Sequence, residues 1–386
     1  MAKKNETGYL SAKESRRISK ENRRITNQFE KLHKRKNVPE SEFTTQMHDQ
    51  ANALEIENLH TYFFSDVGTV HAVDGVSFDV PIGKTVGVVG ESGCGKSVTS
   101  LSIMQLLQRP QGQIVEGEIR LNMGGGKAYD ITKTPTEQMQ KLRGNHMAMI
   151  FQEPMTSLNP VFRIGAQLDE VIALHDGEGK SDEEIKRRSI ELLEMAGIAN
   201  SEGVYRMYPH ELSGGMRQRV MIAMALSCNP RLIIADEPTT ALDVTIQAQI
   251  LDLLRNLKDK INSSIMLITH DLGVIAEMAD YVVVMYAGRV VEKGTAEEVF
   301  AHPAHPYTIG LMASKPSVGK KVDKLYSIPG KVPNPINMPD YCYFKDLCEM
   351  CVDGCEGEYP HMVQLSPTHF VSCYRYYEGK GGNQNG

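Results

Sequence analysis

The chain has 386 residues, seven cysteines and a formal net charge of −6, a length that predicts a large core with one or two appended segments. No stretch approaches the roughly 18 to 20 consecutive apolar residues that a membrane-spanning helix needs, and residues 1–20 lack the apolar core of a signal peptide. These features argue against a membrane-spanning or secreted protein and predict a cytosolic one, where clustered cysteines more often bind metal than form disulfides.

The N-terminal residues 1–50 are polar and basic. Residues 1–36 contain twelve Lys or Arg against four Asp or Glu, whereas the rest of the chain contains thirty against forty-four. A segment with so few large apolar residues favours a solvated helix or disorder over a packed unit. We therefore predict a basic extension that precedes an acidic body.

Two kinds of strand are predicted from about residue 51 onward. Leu54 and Ile56 alternate with polar neighbours, and the same period continues through residues 70–80, which predicts an antiparallel sheet. Short, almost wholly apolar runs follow and are typical of a parallel sheet covered on both faces. These runs are residues 86–89, 148–151, 232–235, 265–268 and 281–285.

Helical spacing replaces the strand pattern in the middle of the chain. Ile185 and Leu192 recur there at helix spacing with charges between them. We predict an α/β fold in which a helical subdomain over about residues 160–228 is inserted into a unit spanning residues 51–300, followed by a C-terminal extension over residues 301–386.

A phosphate-binding loop is predicted directly after the apolar run 86–89. Its pattern is G-x-x-x-x-G-K-S, in which glycines let backbone N–H groups converge on phosphate oxygens at a helix start. Lys96 would reach the outer phosphates, the Ser97 hydroxyl would coordinate magnesium, and Cys94 would contribute its backbone. The loop consists of Gly90, Glu91, Ser92, Gly93, Cys94, Gly95, Lys96 and Ser97.

Polar residues follow three further apolar runs at their C-terminal ends, where open α/β sheets bind ligands. Asp236 is placed to hold magnesium, and Glu237 to orient or deprotonate an attacking water. Gln152 is a candidate to bond magnesium or the water, and His270 to contact the terminal phosphate. Singly, each is an ordinary strand-end residue, but together they predict a catalytic edge.

A second anion site is predicted at the start of a helix with an apolar face. Ser213 is a candidate N-cap, while Gly214 and Gly215 allow a phosphate to approach the helix N-terminus closely. The chain would therefore carry two separate phosphate-binding elements.

This motif set resembles that of the ABC ATPases over about residues 53–300. It combines the loop at Gly90 with Gln152, L-S-G-G-x-x-Q-R at residues 212–219, Asp236-Glu237, Ala241-Leu242-Asp243 and His270. The resemblance implies a P-loop, RecA-like cassette that binds ATP and Mg²⁺, with Glu237 as the general base, His270 as the switch contact and Asp243 near the nucleotide. It further implies a head-to-tail dimer in which Ser213, Gly214 and Gly215 cap the ATP of the other subunit.

The resemblance also implies an aromatic residue that stacks on adenine. Phe63 matches that position, although Tyr62 and Phe64 beside it leave the register open.

Two short segments resemble oligopeptide and dipeptide permease ATPases. They are Glu153-Pro154-Met155-Thr156-Ser157-Leu158-Asn159-Pro160 and His305-Pro306-Tyr307-Thr308. The resemblance implies a D-type ATPase, peripheral on the cytoplasmic face of the membrane, that pairs with a homologous F-type ATPase beneath two permease subunits fed by an external peptide-binding protein. Uptake of nickel or another small solute is the alternative, and a soluble ABC ATPase without a pump is a second. No nucleic-acid partner is expected. DNA-repair types interrupt the cassette with long insertions and ribosome-binding types typically contain two cassettes, and neither feature appears in this chain.

The C-terminal cysteines follow a proline-rich linker at residues 329–339. Cys342, Cys348, Cys355 and Cys373 are spaced C-x5-C-x6-C-x17-C, and four thiolates suit an iron–sulfur cluster or a structural zinc. Some members of the resembling subfamily carry a [4Fe–4S] cluster at matching cysteines. Zinc and uncoordinated thiols remain open, and Cys351 is an additional thiol.

The basic extension has two readings. Clustered Lys and Arg gain about 1 kcal/mol each near an anionic membrane surface, so the arm could rest on the inner leaflet or on a permease loop. A solvated tail is the other reading.

Overall fold

The computed structural model describes residues 11–153, 157–176, 178–240, 242–314, 328, 332–336 and 338–377. Some predicted features lie outside these residues: Pro154, Met155, Thr156, Ala241 and part of the linker 329–339. None of the helices in the described part of the chain is long and apolar enough to cross a membrane.

The basic extension forms helix α1 (Ala12–His33), which begins at a capping box between Ser11 and Glu14. One face of the helix packs on the body of the protein. Asn22 Nδ2 donates to Ser65 O at 2.8 Å, and Ser19 Oγ donates to Asp66 Oδ1 at 2.7 Å. The cations stay on the exposed face, since Lys13, Arg16, Arg17, Lys20, Arg23 and Arg24 are all exposed.

An antiparallel sheet follows, as predicted, with strand order β1-β6-β5-β2-β3. Its long hairpin pairs β2 with β3, because alternate residues of both strands are apolar and face one core. The strands are β1 (Thr44–Thr45), β2 (Asn52–Ser65), β3 (Gly68–Pro81), β5 (Gly112–Gly124) and β6 (Lys127–Asp130).

The predicted parallel sheet is confirmed, with neighbouring strands in the order β10-β4-β9-β8-β7. Every residue of β4, β8 and β9 is buried, as expected for strands covered on both faces. The strands are β4 (Thr85–Val89), β7 (Met147–Ile150), β8 (Leu232–Asp236), β9 (Ser264–Ile268) and β10 (Tyr281–Tyr286). Phe151, predicted to end its strand, instead lies beyond β7 and is 38% exposed.

An antiparallel edge extends this sheet and was not predicted. β11 (Arg289–Thr295) pairs with β10, and the short strands β13 (Phe370–Val371) and β12 (Val363–Gln364) add to β11. Residues far along the chain are thereby hydrogen-bonded to the central sheet.

Helices cover both faces of the parallel sheet and form a separate layer at one end. That layer has its own apolar core, which includes Leu158, Ile172, Leu192 and Val220. Its helices are α4 (Ile164–Asp176), α5 (Asp182–Met195), α6 (Ser201–Arg206) and α7 (Gly214–Ala225). The others are α2 (Lys96–Ile103), α3 (Thr136–Leu142), α8 (Val244–Ile261), α9 (Leu272–Met278), α10 (Ala296–Ala301) and α11 (Pro306–Ala313).

We call residues 338–377 the cysteine segment. The segment is anchored around Glu292 of β11, a fully buried carboxylate. Glu292 accepts hydrogen bonds from the backbone N–H groups of Ala304 and His305, both at 2.8 Å, and lies 2.8 Å from His369 Nε2. A buried carboxylate is tolerated only when its oxygens are paired in this way.

Candidate phosphate and magnesium site

The predicted phosphate loop lies between β4 and α2. At Gly95 the backbone has φ of +102°, and a Cβ added there would come within 2.5 Å of Ala72 O. This position therefore requires glycine, because a side chain would be strained and would collide with backbone. Cys94 is buried, and burial raises the pKa of its thiol, which fits the prediction that this residue contributes its backbone.

Lys96 is buried and bonded to the loop itself. Its Nζ donates to Gly90 O at 2.7 Å and to Glu91 O at 2.9 Å. An ammonium group held by carbonyl oxygens is readily redirected to phosphate oxygens, which are stronger acceptors because they are charged. The loop thus holds the Lys96 ammonium group where the outer phosphates would lie.

Ser97 and Asp236 meet across the strand ends, as predicted. Ser97 Oγ donates to Asp236 Oδ1 at 3.0 Å, and Ser100 Oγ lies 3.3 Å from Asp236 Oδ2. Burial raises the pKa of Asp236 and the charge of Glu237 adds to this, although the two serine hydroxyls oppose it. A divalent cation bound between Ser97 and Asp236 would offset the cost of keeping this carboxylate ionised.

The other two predicted catalytic residues both contact the Glu237 carboxylate. Gln152 Nε2 donates to its Oε2 at 3.1 Å, while His270 Nδ1 lies 3.2 Å from its Oε1. Thr240 Oγ1 also donates to Oε2, at 2.8 Å. The backbone of Glu237 has φ of +47°, an uncommon conformation for a non-glycine residue that is found at functional sites.

The aromatic residues at the end of β2 are used differently from one another. Phe64 is buried, and the hydroxyl of Tyr62 donates to Asp74 Oδ1 at 2.8 Å. Phe63 remains half-buried beside Gly112, where an added Cβ would approach its ring to 2.8 Å. Of the three rings, that of Phe63 is therefore the best placed to receive a planar base.

The second predicted anion site lies at the start of α7. Ser213 caps the helix by accepting from Met216 N at 3.4 Å, and both Ser213 and Gly214 are exposed. Asp243, predicted to lie near the nucleotide, caps α8 by accepting from Ile246 N at 3.0 Å. The start of α7 thus opens onto solvent, whereas Lys96 and Asp236 are buried at the phosphate loop.

Three contacts at the site were not anticipated. Ser100 and Thr240 bond Asp236 and Glu237, and Tyr307 Oη accepts a hydrogen bond from Glu91 N at 2.9 Å. Ser100 and Thr240 stand three residues from Ser97 and Glu237, a spacing that could have indicated them. Tyr307 belongs to a segment singled out only by resemblance, and no local pattern links it to the phosphate loop.

The cysteines do not form the predicted metal site in this structure. Among the residues that are described, no group of three or more His, Cys, Asp or Glu is arranged to hold a metal ion. All are free thiols, and Cys342, Cys355 and Cys373 are buried. Burial raises the pKa of Cys342 to about 12 and that of Cys373 to about 11, and neighbouring thiols including Cys348 add to both shifts. The four thiols are thus neighbours, but they are not arranged as ligands.

Comparisons with known proteins agree with the geometry. A family model described as "ABC transporter" matches residues 73–240, and one described as "Oligopeptide/dipeptide transporter, C-terminal region" matches residues 291–355. The oligopeptide transport ATP-binding protein AppD of Bacillus subtilis is 51% identical over 86% of this chain and 99% of that protein. The dipeptide transport ATP-binding protein DppD of Lactococcus lactis is 46% identical over 84% of this chain and 91% of that protein.

A solved structure shows the same fold. It is a dimeric, post-hydrolysis ATP-binding cassette bound to ADP and phosphate, 26% identical to this chain. The match covers 63% of this chain and 98% of the other, with a TM-score of 0.56.

Proposed function

This chain belongs to the ATP-binding proteins of ABC transporters, and on that premise we propose that it hydrolyses ATP to power the import of oligopeptides or dipeptides. The observation that carries this proposal is the convergence of Gln152 and His270 on Glu237, next to Asp236 and the phosphate loop. The names of relatives support the proposal that the transported substrate is a peptide, since AppD and DppD are called oligopeptide and dipeptide transport ATP-binding proteins.

The site residues divide the chemistry among them. Backbone N–H groups of the loop and Lys96 hold the phosphates, and Ser97, Asp236 and Gln152 are suited to hold Mg²⁺. Bound Mg²⁺ would neutralise the charge that develops on the phosphate oxygens. Glu237 orients the water and accepts its proton, while His270, 60% exposed and next to Glu237, contacts the terminal phosphate.

A second ATPase subunit completes the site. A Cβ added at Gly214 would have no atom within 4 Å, and Val244 beside Asp243 is 84% exposed, so both positions are accessible to a partner. In the arrangement we propose, Ser213, Gly214 and Gly215 cap the ATP held by a homologous F-type subunit, and the partner's equivalent motif caps the ATP held here.

The helical layer suits contact with membrane subunits at the cytoplasmic face. Large apolar side chains are exposed along the stretch of chain from residue 151 to residue 174: Phe151, Val161, Phe162 and Leu174 are 38%, 70%, 55% and 74% exposed. Such a group favours a protein interface over open water. We assign it to two permease subunits that receive peptide from an external binding protein.

Reconstitution tests the cargo. The chain, its F-type partner, both permeases and the binding protein are placed in proteoliposomes, and uptake of labelled tri- to pentapeptides is measured beside uptake of ⁶³Ni²⁺. We expect ATP-dependent peptide uptake and ATP hydrolysis that peptide stimulates. Nickel uptake without peptide uptake would assign the chain to the small-solute importers, and full ATPase activity that is indifferent to the membrane subunits would favour a soluble ABC ATPase.

For the cysteine segment we propose a [4Fe–4S] cluster on Cys342, Cys348, Cys355 and Cys373, with structural zinc as the alternative. Proximity of four thiols supports it, and thiolates are the ligands that such clusters use. Metals bind the thiolate form of cysteine, so a metal has to displace the thiol protons to bind.

Anaerobic purification tests this assignment. We expect a brown protein containing iron and acid-labile sulfide, and we expect Cys355→Ser to lose both. Cys351 is exposed and outside the proposed ligand set, so Cys351→Ser should retain the iron and serves as the matched control. Stoichiometric zinc with no iron would contradict the cluster.

A further inference from the structure

A buried carboxylate joins the adenine side of the site to the cysteine segment. Asp74 of β3 is 5% exposed, and Tyr62, Tyr343 and Arg289 all donate hydrogen bonds to it. The Tyr62 hydroxyl reaches Oδ1 at 2.8 Å, the Tyr343 hydroxyl reaches Oδ2 at 2.8 Å, and Arg289 reaches Oδ2 at 2.7 Å. Three parts of the fold therefore meet on one charge: the β2–β3 hairpin, the edge strand β11 and the cysteine segment.

The environment of Asp74 makes this junction rigid. Burial alone would raise the pKa of Asp74, but the hydrogen bond with His60 Nδ1 at 3.0 Å, the charge of Arg289 and the two tyrosine hydroxyls outweigh it and hold the pKa well below its usual range. The Arg289 guanidinium lies over the rings of Tyr343 and Tyr359, 5.2 and 4.1 Å from their centroids. A charge network that is paired this completely tolerates little displacement of any member.

The hairpin fixed by Asp74 carries the ring that we assign to adenine. Tyr62 immediately precedes Phe63, and its ring stacks on His71 with centroids 4.0 Å apart. His71 N in turn donates to Pro335 O at 2.9 Å. Residues after the cassette thus hold the hairpin both through Tyr343 and through the segment at Pro335.

Phe344, the residue after Tyr343, connects the cysteine segment to the phosphate side of the site. Phe344 packs against Tyr286 and Tyr307, with ring centroids 5.3 and 5.6 Å apart. Tyr307 is fully buried, and its hydroxyl accepts the hydrogen bond from Glu91 N in the phosphate loop. The neighbours of Cys342 therefore reach both ends of the nucleotide site.

We propose that the cysteine segment sets the ATP affinity of its own chain, with Tyr343 as a positioning residue for the adenine side and Tyr307 for the phosphate loop. The inference rests on the proposed function. Neither tyrosine has to touch ATP: Tyr343 acts through Asp74 and Tyr62 on Phe63, and Tyr307 acts through Glu91. A change in the packing around Cys342 is in this way transmitted to nucleotide binding.

The decisive variant is Tyr343→Phe, which removes one hydroxyl and keeps the ring under Arg289. We expect the KM for ATP and the Kd of a fluorescent ATP analogue to rise about three- to tenfold, with kcat changed less than twofold. This is less than the roughly ten- to hundredfold that one hydrogen bond to a charged group can contribute, because Tyr343 acts on the nucleotide only through other residues. Tyr341→Phe is the control, since that ring lies near Lys345 rather than Asp74. The control should match wild type.

A second measurement needs no variant. In the wild-type chain, ATP binding should slow amide hydrogen exchange at residues 342–346 as well as at the phosphate loop. An unchanged KM in Tyr343→Phe, or exchange at 342–346 that ignores ATP, would overturn the inference and leave the ATPase assignment intact. Failure of the wild-type chain to bind ATP at all would overturn both.

Discussion

Replacing Glu237 by Gln should stop ATP turnover while leaving ATP bound. General-base catalysis contributes about 10²- to 10⁴-fold to such reactions, and we expect kcat to fall by that factor. Gln is almost isosteric with Glu and can keep the contacts to Gln152, Thr240 and His270, but its amide cannot accept a proton from water. Because ATP is no longer cleaved, the nucleotide-closed dimer should accumulate.

Two measurements check this result. Steady-state phosphate release gives kcat, and size-exclusion chromatography with ATP and Mg²⁺ reports the trapped dimer. Glu297→Gln is the matched control, since Glu297 is exposed in the first turn of α10. That turn follows Thr295, which pairs with the first residue of β10, at the opposite end of the parallel strands from Glu237. Hydrolysis at the wild-type rate by Glu237→Gln would defeat the assignment of the base.

Replacing Lys96 by Met should strongly weaken ATP binding and not only slow turnover. Hydrogen bonds to charged groups contribute about 1.5–3 kcal/mol each, which corresponds to roughly ten- to hundredfold in affinity. Lys96 also ties together the carbonyl groups of Gly90 and Glu91, so its loss would loosen the loop as well. We therefore expect an affinity loss at the upper end of that range.

Titration of a fluorescent ATP analogue by anisotropy measures this loss directly. Lys84→Met is the control, because Lys84 stands just before β4 and pairs on the surface with Asp280 at 3.2 Å. Surface ion pairs contribute little, about 0–1 kcal/mol, so this variant should bind ATP normally. Equal affinities for the two variants would contradict the role of Lys96.

The nucleotide site was largely predictable from the sequence because its chemistry is local. A strand, a glycine-rich turn and a helix start follow one another between residues 85 and 103, so the order of residues fixes their geometry. The convergence on Glu237 could also be predicted, because the C-terminal ends of parallel strands meet at one edge. The sheet itself followed from the fully apolar runs.

Contacts between distant residues were not predictable. Asp74 is one of two acidic residues on β3, and its partners Arg289 and Tyr343 stand 215 and 269 positions away. Periodicity indicates which face of a helix or strand is buried. It does not indicate which distant hydroxyl or guanidinium group will form a hydrogen bond with a residue on that face. The cysteines are a second example, because their spacing gives the number of possible metal ligands and not the directions in which the thiols point.

The three aromatic residues at the end of β2 are distinguished from one another by their surroundings in the folded chain. In the sequence, Tyr62, Phe63 and Phe64 are three consecutive aromatic residues, and each could stack on a base. Tyr62 donates a hydrogen bond to Asp74 and Phe64 is buried, so Phe63 is the ring that we propose for adenine stacking. Partners across the hairpin, rather than the residues themselves, separate the three.

The short strand β13 has a consequence for where this protein can be shortened. It pairs with Glu292 and Lys293 of β11, and without it the backbone N–H and C=O groups of this part of β11 would form an open sheet border. Uncovered borders of this kind recruit strands from other molecules and promote aggregation. A chain truncated after residue 301 would keep the catalytic motifs and yet be prone to precipitate, so soluble expression calls for an end point beyond Val371.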